Sequence, residues 1–195
     1  RILAPPVSGN LTRNGVDVSP GQLITRDELE SNQVRFKPAS NANRDNAANP
    51  FFTFKVQDDG GQDNGGVDTD EPTRTLTFNV APLNDAPQGA TATAAAREGV
   101  NHTFAQGDFG YSDVDGHALL TVHVMAAPSA GATLRVGSTN IGTFPAQISA
   151  ADITAGLVQL APSGPFFNGN VTLAFQVQDN GGAPGQDRDL TTDTV

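Results

Sequence analysis

The stretch FKVQDDGG, residues 54–61, returns as FQVQDNGG at residues 175–182, 121 positions later. Each copy ends a strand-like run with paired acidic or amide residues followed by two glycines. In the second copy Val171, Leu173, Phe175 and Val177 alternate with Thr172, Ala174, Gln176 and Gln178. A period of two puts one face of a strand on a core and the other in water, as antiparallel sheets do. The register predicts Phe54, Phe78 and Phe175 buried, with Lys55 and Gln176 exposed. The glycine pairs Gly60–Gly61 and Gly181–Gly182 permit a sharp turn where the strand closes.

Sliding the chain on itself extends the match. ITRDELESNQVRFKP (24–38) aligns with ISAADITAGLVQLAP (148–162), so that Ile24 meets Ile148, Leu29 meets Ile153, Val34 meets Val158, Phe36 meets Leu160 and Pro38 meets Pro162. Upstream, Leu11 falls near Leu134; downstream, DTD (68–70) falls near DRD (187–189). The chain is therefore expected to carry two copies of one unit, at 1–83 and 84–195. The first lacks a counterpart to roughly 84–124, and the second stops where the first continues into TRTLTFNVAPLNDAP. This predicts an excerpt from a tandem array taken out of phase, the first repeat without its N-terminal part and the second without its last strand. Internal duplication of a single domain is the simpler alternative.

Within the unit, Leu76, Phe78 and Val80 alternate with Thr75, Thr77 and Asn79, and Leu120, Val122 and Val124 share a face opposite Leu119, Thr121 and His123. Gly-, Pro- and Asn-rich clusters punctuate these runs. Thr25 with Glu28, and Ser149 with Asp152, each set an N-cap residue three positions before an acidic one, a capping-box pattern able to start one helical turn. Strand runs with almost no helix predict an all-β fold, an antiparallel β-sandwich with a short helical turn per repeat.

Composition narrows the function. Asp and Glu number 21 against 11 Lys and Arg, a net charge of −10, which excludes a basic footprint for nucleic acid or anionic lipid. No cysteine is present, which excludes disulfides and thiolate metal sites. No apolar run reaches the length of a membrane span, so no membrane insertion is expected, and no signal peptide is visible. Six acidic residues crowd into DDGGQDNGGVDTDE (58–71).

HTFAQGDFGYSDVDGHALLTVHV, then ISAADITAG, VTLAFQVQDNGG and LTFNVAPLNDAP, in that order, resemble the cadherin-like, VCBS-type tandem repeats of giant bacterial surface adhesins and the related repeats of chondroitin-sulfate proteoglycan ectodomains. The resemblance covers essentially the whole chain. It implies Ig-like or cadherin-like sandwiches in series on a secreted or cell-surface protein, with calcium at the junctions. Residue by residue, Asp113 and Asp115 in DVDG match the cadherin Asp-x-Asp pair, and Glu98 in REG matches the early glutamate. Asp58 and Asp179 match the late strand-end aspartate, and Asn84 and Asp85 in LNDAP match part of the linker before proline. Pro82 stands where that linker has its leading aspartate, and the mid-domain acidic motif has no clear counterpart. The implied stoichiometry is one or two calcium ions at the inter-repeat junction.

Calcium takes six to eight oxygen ligands, which Asp on glycine-rich turns supplies; the same residues also favour turns for local reasons alone. DVDGH begins like an EF-hand loop, but its twelfth position is Val124, so that reading fails. The histidines His102, His117 and His123 show no metal-spaced pair, and no Ser or Cys lies in a nucleophile motif, so no enzyme is expected. Two function classes remain: a structural spacer of a surface stalk whose partners are the neighbouring repeats of the same chain, and a module that itself binds a surface glycan or protein. One Tyr and no Trp leave few platforms for sugar stacking, which favours the spacer.

Overall fold

The computed structural model describes residues 1–129 and 132–195. The chain divides into two compact units, Arg1–Pro82 and Leu83–Val195, both built of antiparallel strands.

The first unit holds β1 (Ile2–Ala4), β2 (Asn10–Arg13), β3 (Val16–Asp17), α1 (Arg26–Glu30), β4 (Val34–Lys37), β5 (Phe51–Phe54) and β6 (Arg74–Thr77). Its strands form two sheets, ordered β1-β5-β6 and β3-β2-β4. The helical turn begins at the predicted capping box: Thr25 Oγ1 accepts the Glu28 N–H, and Glu28 Oε2 accepts the Thr25 N–H at 2.9 Å. Two orphan donors of the helix start are satisfied reciprocally. The core is small. Ile2, Leu11 and Val18 are buried, with Ile24, Val34, Phe36, Phe52 and Phe54 half-covered around them, and Phe36 stacks on Phe78 with ring centres 3.9 Å apart.

The second unit repeats this plan and adds to it. It holds β7 (His102–Thr103), β8 (Leu119–Val124), β9 (Ala132–Val136), β10 (Thr139–Asn140), β11 (Ala146–Ser149), α2 (Ala150–Thr154), β12 (Val158–Pro162), β13 (Ala174–Asp179) and β14 (Asp193–Thr194). The sheets are ordered β11-β8-β13-β14 and β10-β9-β12-β7. Val122, Val124, Phe175 and Val177 from one sheet and Leu134 and Val158 from the other share a single buried cluster. Ser149 caps α2 by accepting the Asp152 N–H at 3.0 Å.

Register identifies the equivalent strands. Ile2 pairs with Phe54 as Val124 pairs with Phe175, and Ile2 exchanges backbone bonds with Gly21 and Gln22 where Val124 pairs with Ala146. β1 is thus the counterpart of β8, and the stretch without a counterpart ends before β8 rather than near residue 124. Likewise β14 pairs with β13 as β6 pairs with β5, so the start of that closing strand is present in the second unit.

Phe175 is wholly buried as the register requires, whereas Phe54 and Phe78 are half-buried, and Lys55 and Gln176 are half-covered rather than exposed. Leu76 faces outward. The smaller core of the first unit explains the two phenylalanines: fewer residues exist to enclose them. The predicted face of 119–124 breaks at one point. β13 pairs Gln178 with Thr121 but Asp179 with Leu119, so Leu120 is an extra, unpaired residue. Such a bulge inverts the alternation, burying Leu119 and leaving Leu120 48% exposed. His123, on the face opposite Val122 and Val124, is buried as well, in a strand flanked by both β11 and β13. Its Nε2 lies 2.8 Å from Gln178 Oε1.

Candidate metal centre

The recurring VQD(D/N)GG motif builds the same latch in both units. In the first, Asp58 N–H donates to Asp68 O at 2.9 Å and Asp70 N–H to Val56 O at 2.8 Å; in the second, Asp179 N–H donates to Asp187 O and Asp189 N–H to Val177 O, both at 2.9 Å. Gln57 Nε2 donates to Asp68 Oδ2 at 2.8 Å, and Gln178 Nε2 to Asp187 Oδ2 at 2.9 Å. The strand-end aspartate then caps its own turn: Gly60 N–H donates to Asp58 Oδ1 at 2.9 Å, and Gly181 N–H to Asp179 Oδ1 at 2.7 Å. Hydrogen bonds from Gln62 and Gln57 hold the Asp68 carboxyl below the usual carboxylate range. The two equivalent acidic triplets, DTD and DRD, therefore serve first as hydrogen-bond partners of this latch.

Among the described residues, the second latch alone holds a further stretch of chain. Asn84 runs beside Gly185, donating its N–H to Pro184 O at 3.0 Å and accepting from Gln186 N–H at 2.9 Å. Gly185 has φ +124, and a Cβ there would strike the Asn84 backbone, so only glycine allows this approach. The Asn84 side chain is buried. Its Nδ2 donates to Gln186 O at 2.7 Å and to both Asp179 carboxylate oxygens at 3.1 and 3.3 Å. The amide must face its nitrogen to Asp179, since a carboxylate only accepts; Asn84 Oδ1 consequently points the other way and is left without a partner.

The DVDGH turn meets it there. His117 N–H donates to Asp113 Oδ1 at 2.8 Å, Asp85 N–H donates to Asp115 Oδ2 at 2.8 Å, and Tyr111 Oη–H donates to His117 O at 2.7 Å. One ligand atom each from Asp113, Asp115 and His117 lies within 4.8 Å of the other two. The Asp113 side chain is 1% exposed, yet its Oδ2 is unpartnered, as is His117 Nδ1. A Cβ on Gly181 would collide with Asn84 Oδ1 and His117 Nδ1 together, so these two free atoms converge on one point. Burial, then the charges of Asp113 and Asp179, push the Tyr111 hydroxyl up to about 12, which marks a negative field around this turn.

Of the residues singled out from sequence, Asn84, Asp85, Asp113, Asp115 and Asp179 come together in this cluster. Glu98 does not. It is exposed and lines a separate cavity of about 640 Å³ with Arg97, His102 and Phe167. Asp58 lies in the first unit, exposed, in its own turn. His117 was missed. The signal was present as D-x-D-x-H on one tight turn closed by the His117 N–H to Asp113 Oδ1 bond, but a search for paired histidines passes over it. Among the described residues, Asp113, Asp115 and His117 are the only three-residue group of acidic and histidine ligands with this convergence. No family model, no curated protein and no solved structure matches this chain.

Proposed function

We propose that the chain is a pair of Ig-like or cadherin-like β-sandwich repeats serving as a structural spacer in a secreted or cell-surface adhesin. On this reading its partners are neighbouring repeats, and a divalent cation held by the second unit stiffens the chain where it enters that unit. The observation that carries the reading is the duplicated latch: strand, Gln–Asp bond and aspartate-capped glycine turn recur with the same hydrogen bonds in both units, and each unit has a helical turn capped by a hydroxyl. A part repeated for its architecture rather than for a unique cleft suits a spacer. The unpartnered Asp113 Oδ2 and Asn84 Oδ1 support the cation. Two buried carboxylates beside Asn84 repel one another without a counter-charge, and an ion there offsets that repulsion. Calcium is the ion the resemblance implies.

The test is thermal melting and small-angle scattering of the chain in millimolar divalent cation against excess chelator, repeated on the Asp113→Ala, Asp115→Ala double variant. The reading expects a higher midpoint and a lengthened, stiffer particle with cation, both lost in the variant. An unchanged midpoint and length in the unsubstituted chain overturn the stiffening.

A second reading, direct binding of a surface glycan or protein, draws on the cavity beside Glu98. Its lining combines Arg97, Glu98, His102 and Asn170 with Phe104 and Phe167, a mix of polar groups and apolar faces that suits a sugar. Specific binding of the chain on a glycan array would place this reading first.

A further inference from the structure

We infer that the centre formed by Asn84, Asp113, Asp115 and His117 selects a zinc-class divalent ion over calcium; this rests on the cation reading above and assigns the ion's chemistry. The argument is one of donors. Calcium takes oxygen ligands, six to eight of them, at about 2.3–2.6 Å. Here one of the convergent atoms is an imidazole nitrogen, His117 Nδ1, buried and without a hydrogen-bond partner. Imidazole suits zinc, copper, nickel and iron, and a mixed set of histidine nitrogen and carboxylate oxygen is an ordinary zinc set.

The free atoms number close to what zinc needs. Asp113 Oδ1 is taken by the His117 N–H, which leaves Oδ2 free and buried. Asp115 Oδ2 is taken by the Asp85 N–H, which leaves its Oδ1 for a ligand. His117 Nδ1 and Asn84 Oδ1 complete four donors. Two carboxylates, one imidazole and one amide oxygen neutralise a divalent charge and match a four-coordinate centre. Four is well short of a calcium shell.

The surroundings hold the donors in place. The bonds that fix each ligand are made by its other atom or by backbone: His117 N–H to Asp113, Asp85 N–H to Asp115, Tyr111 Oη to His117 O, and Asn84 Nδ2 to Asp179 and Gln186. Such outer bonds orient ligands before the ion arrives. Gly181 lets Asn84 Oδ1 and His117 Nδ1 pack together against its backbone, because any side chain there would strike both.

The experiment is titration of the metal-stripped full chain with zinc chloride and, separately, calcium chloride, followed by calorimetry and melting, with cobalt(II) absorption as an independent readout. His117→Ala and His117→Asp are the variants. The expected result is zinc affinity at least about tenfold above calcium, a cobalt band of nitrogen–oxygen coordination, and a loss of zinc affinity in His117→Ala at least as large as the roughly 10–100-fold that loss of an outer partner costs. His117→Asp, with an all-oxygen set, is expected to narrow the preference toward calcium. Calcium binding without zinc, or zinc binding unchanged in His117→Ala while the cobalt band persists, overturns this inference and leaves the stiffening reading standing. No binding of either ion overturns both. Should His117→Ala not fold, the cobalt spectrum of the unsubstituted chain decides alone.

Discussion

The two units share one plan and differ in what covers it. Among the described residues, twelve buried apolar side chains form the core of the second unit and three that of the first. The helical turns make the contrast sharpest. Leu29 of α1 and Ile153 of α2 are equivalent, yet Leu29 is 58% exposed and Ile153 2%. α2 packs against the 3-10 turn Gln106–Phe109, whose Phe109 meets Phe175 edge-on with ring centres 5.1 Å apart. Among the described residues the first unit has no counterpart of that turn or of β7, so Leu29 there lacks the apolar surface that Ile153 lies against. A local signal decides that a turn forms; the segment beside it decides whether the turn contributes to stability.

The largest expected break of this comparison is Phe175→Ala, which should cost roughly 3–5 kcal/mol, against about half that for the half-buried Phe54→Ala. Denaturant unfolding with a probe in each unit measures both, and equal costs would mean that the cores do not differ as their burial implies. Next comes the cation. At 100 times its dissociation constant, a bound ion adds about 2.7 kcal/mol, and the second unit's transition should move while the first unit's stays. A parallel shift of both would place the ion elsewhere.

The glycine turns give the third test. Gly181→Ala drives a methyl into Asn84 Oδ1 and His117 Nδ1, whereas Gly60→Ala meets only the Asp58 carboxylate, nearest at 3.1 Å. The former should cost about 1–3 kcal/mol as overpacking does, and the latter within about 0.5 kcal/mol as at an open surface site. Equivalent costs would show that the turn itself, not the linker threaded beside it, demands glycine. Smaller again, Thr25→Ala should cost about 1 kcal/mol through loss of the cap, read from the first unit's midpoint.

The smallest effect is one of pH. The Thr25 N–H, then Arg13, hold the Glu28 carboxyl below its ordinary value. A depressed folded-state pKa contributes stability above the unfolded pKa and loses it as pH falls through the folded one. Acidification below the usual glutamate range should therefore weaken the first unit, and Glu28→Gln should flatten that limb of its stability profile. A variant with an unchanged acid limb would remove Glu28 from the account.

Much of the fold was legible because its signals are local. Thr25 and Ser149, each with an acidic residue three positions on, announced the helical turns that follow them, and Phe175 and Val177 announced the inner face of β13. Leu119 and Leu120 were read on the wrong faces because a bulge depends on the pairing partner, Asp179, sixty residues away in the chain. The linker residues Asn84 and Asp85 were visible only through resemblance to a family. Glu98 was carried over the same way and lies elsewhere, since nothing near it ties it to the DVDG turn. His117 stood in plain sight, but its value as a donor depends on an amide oxygen supplied by Asn84, which no spacing rule reports.

Asn84 also has a bearing on the order of events during folding. Its partners Asp179 and Gln186 lie 95 and 102 positions further along the chain. Closing a loop of that length carries an entropic cost that contacts within it must first repay. The opening residues of the second unit are therefore among the last to be fastened. On a ribosome they wait until residue 186 has emerged, so the fastening at Asn84 reports a unit already folded behind it.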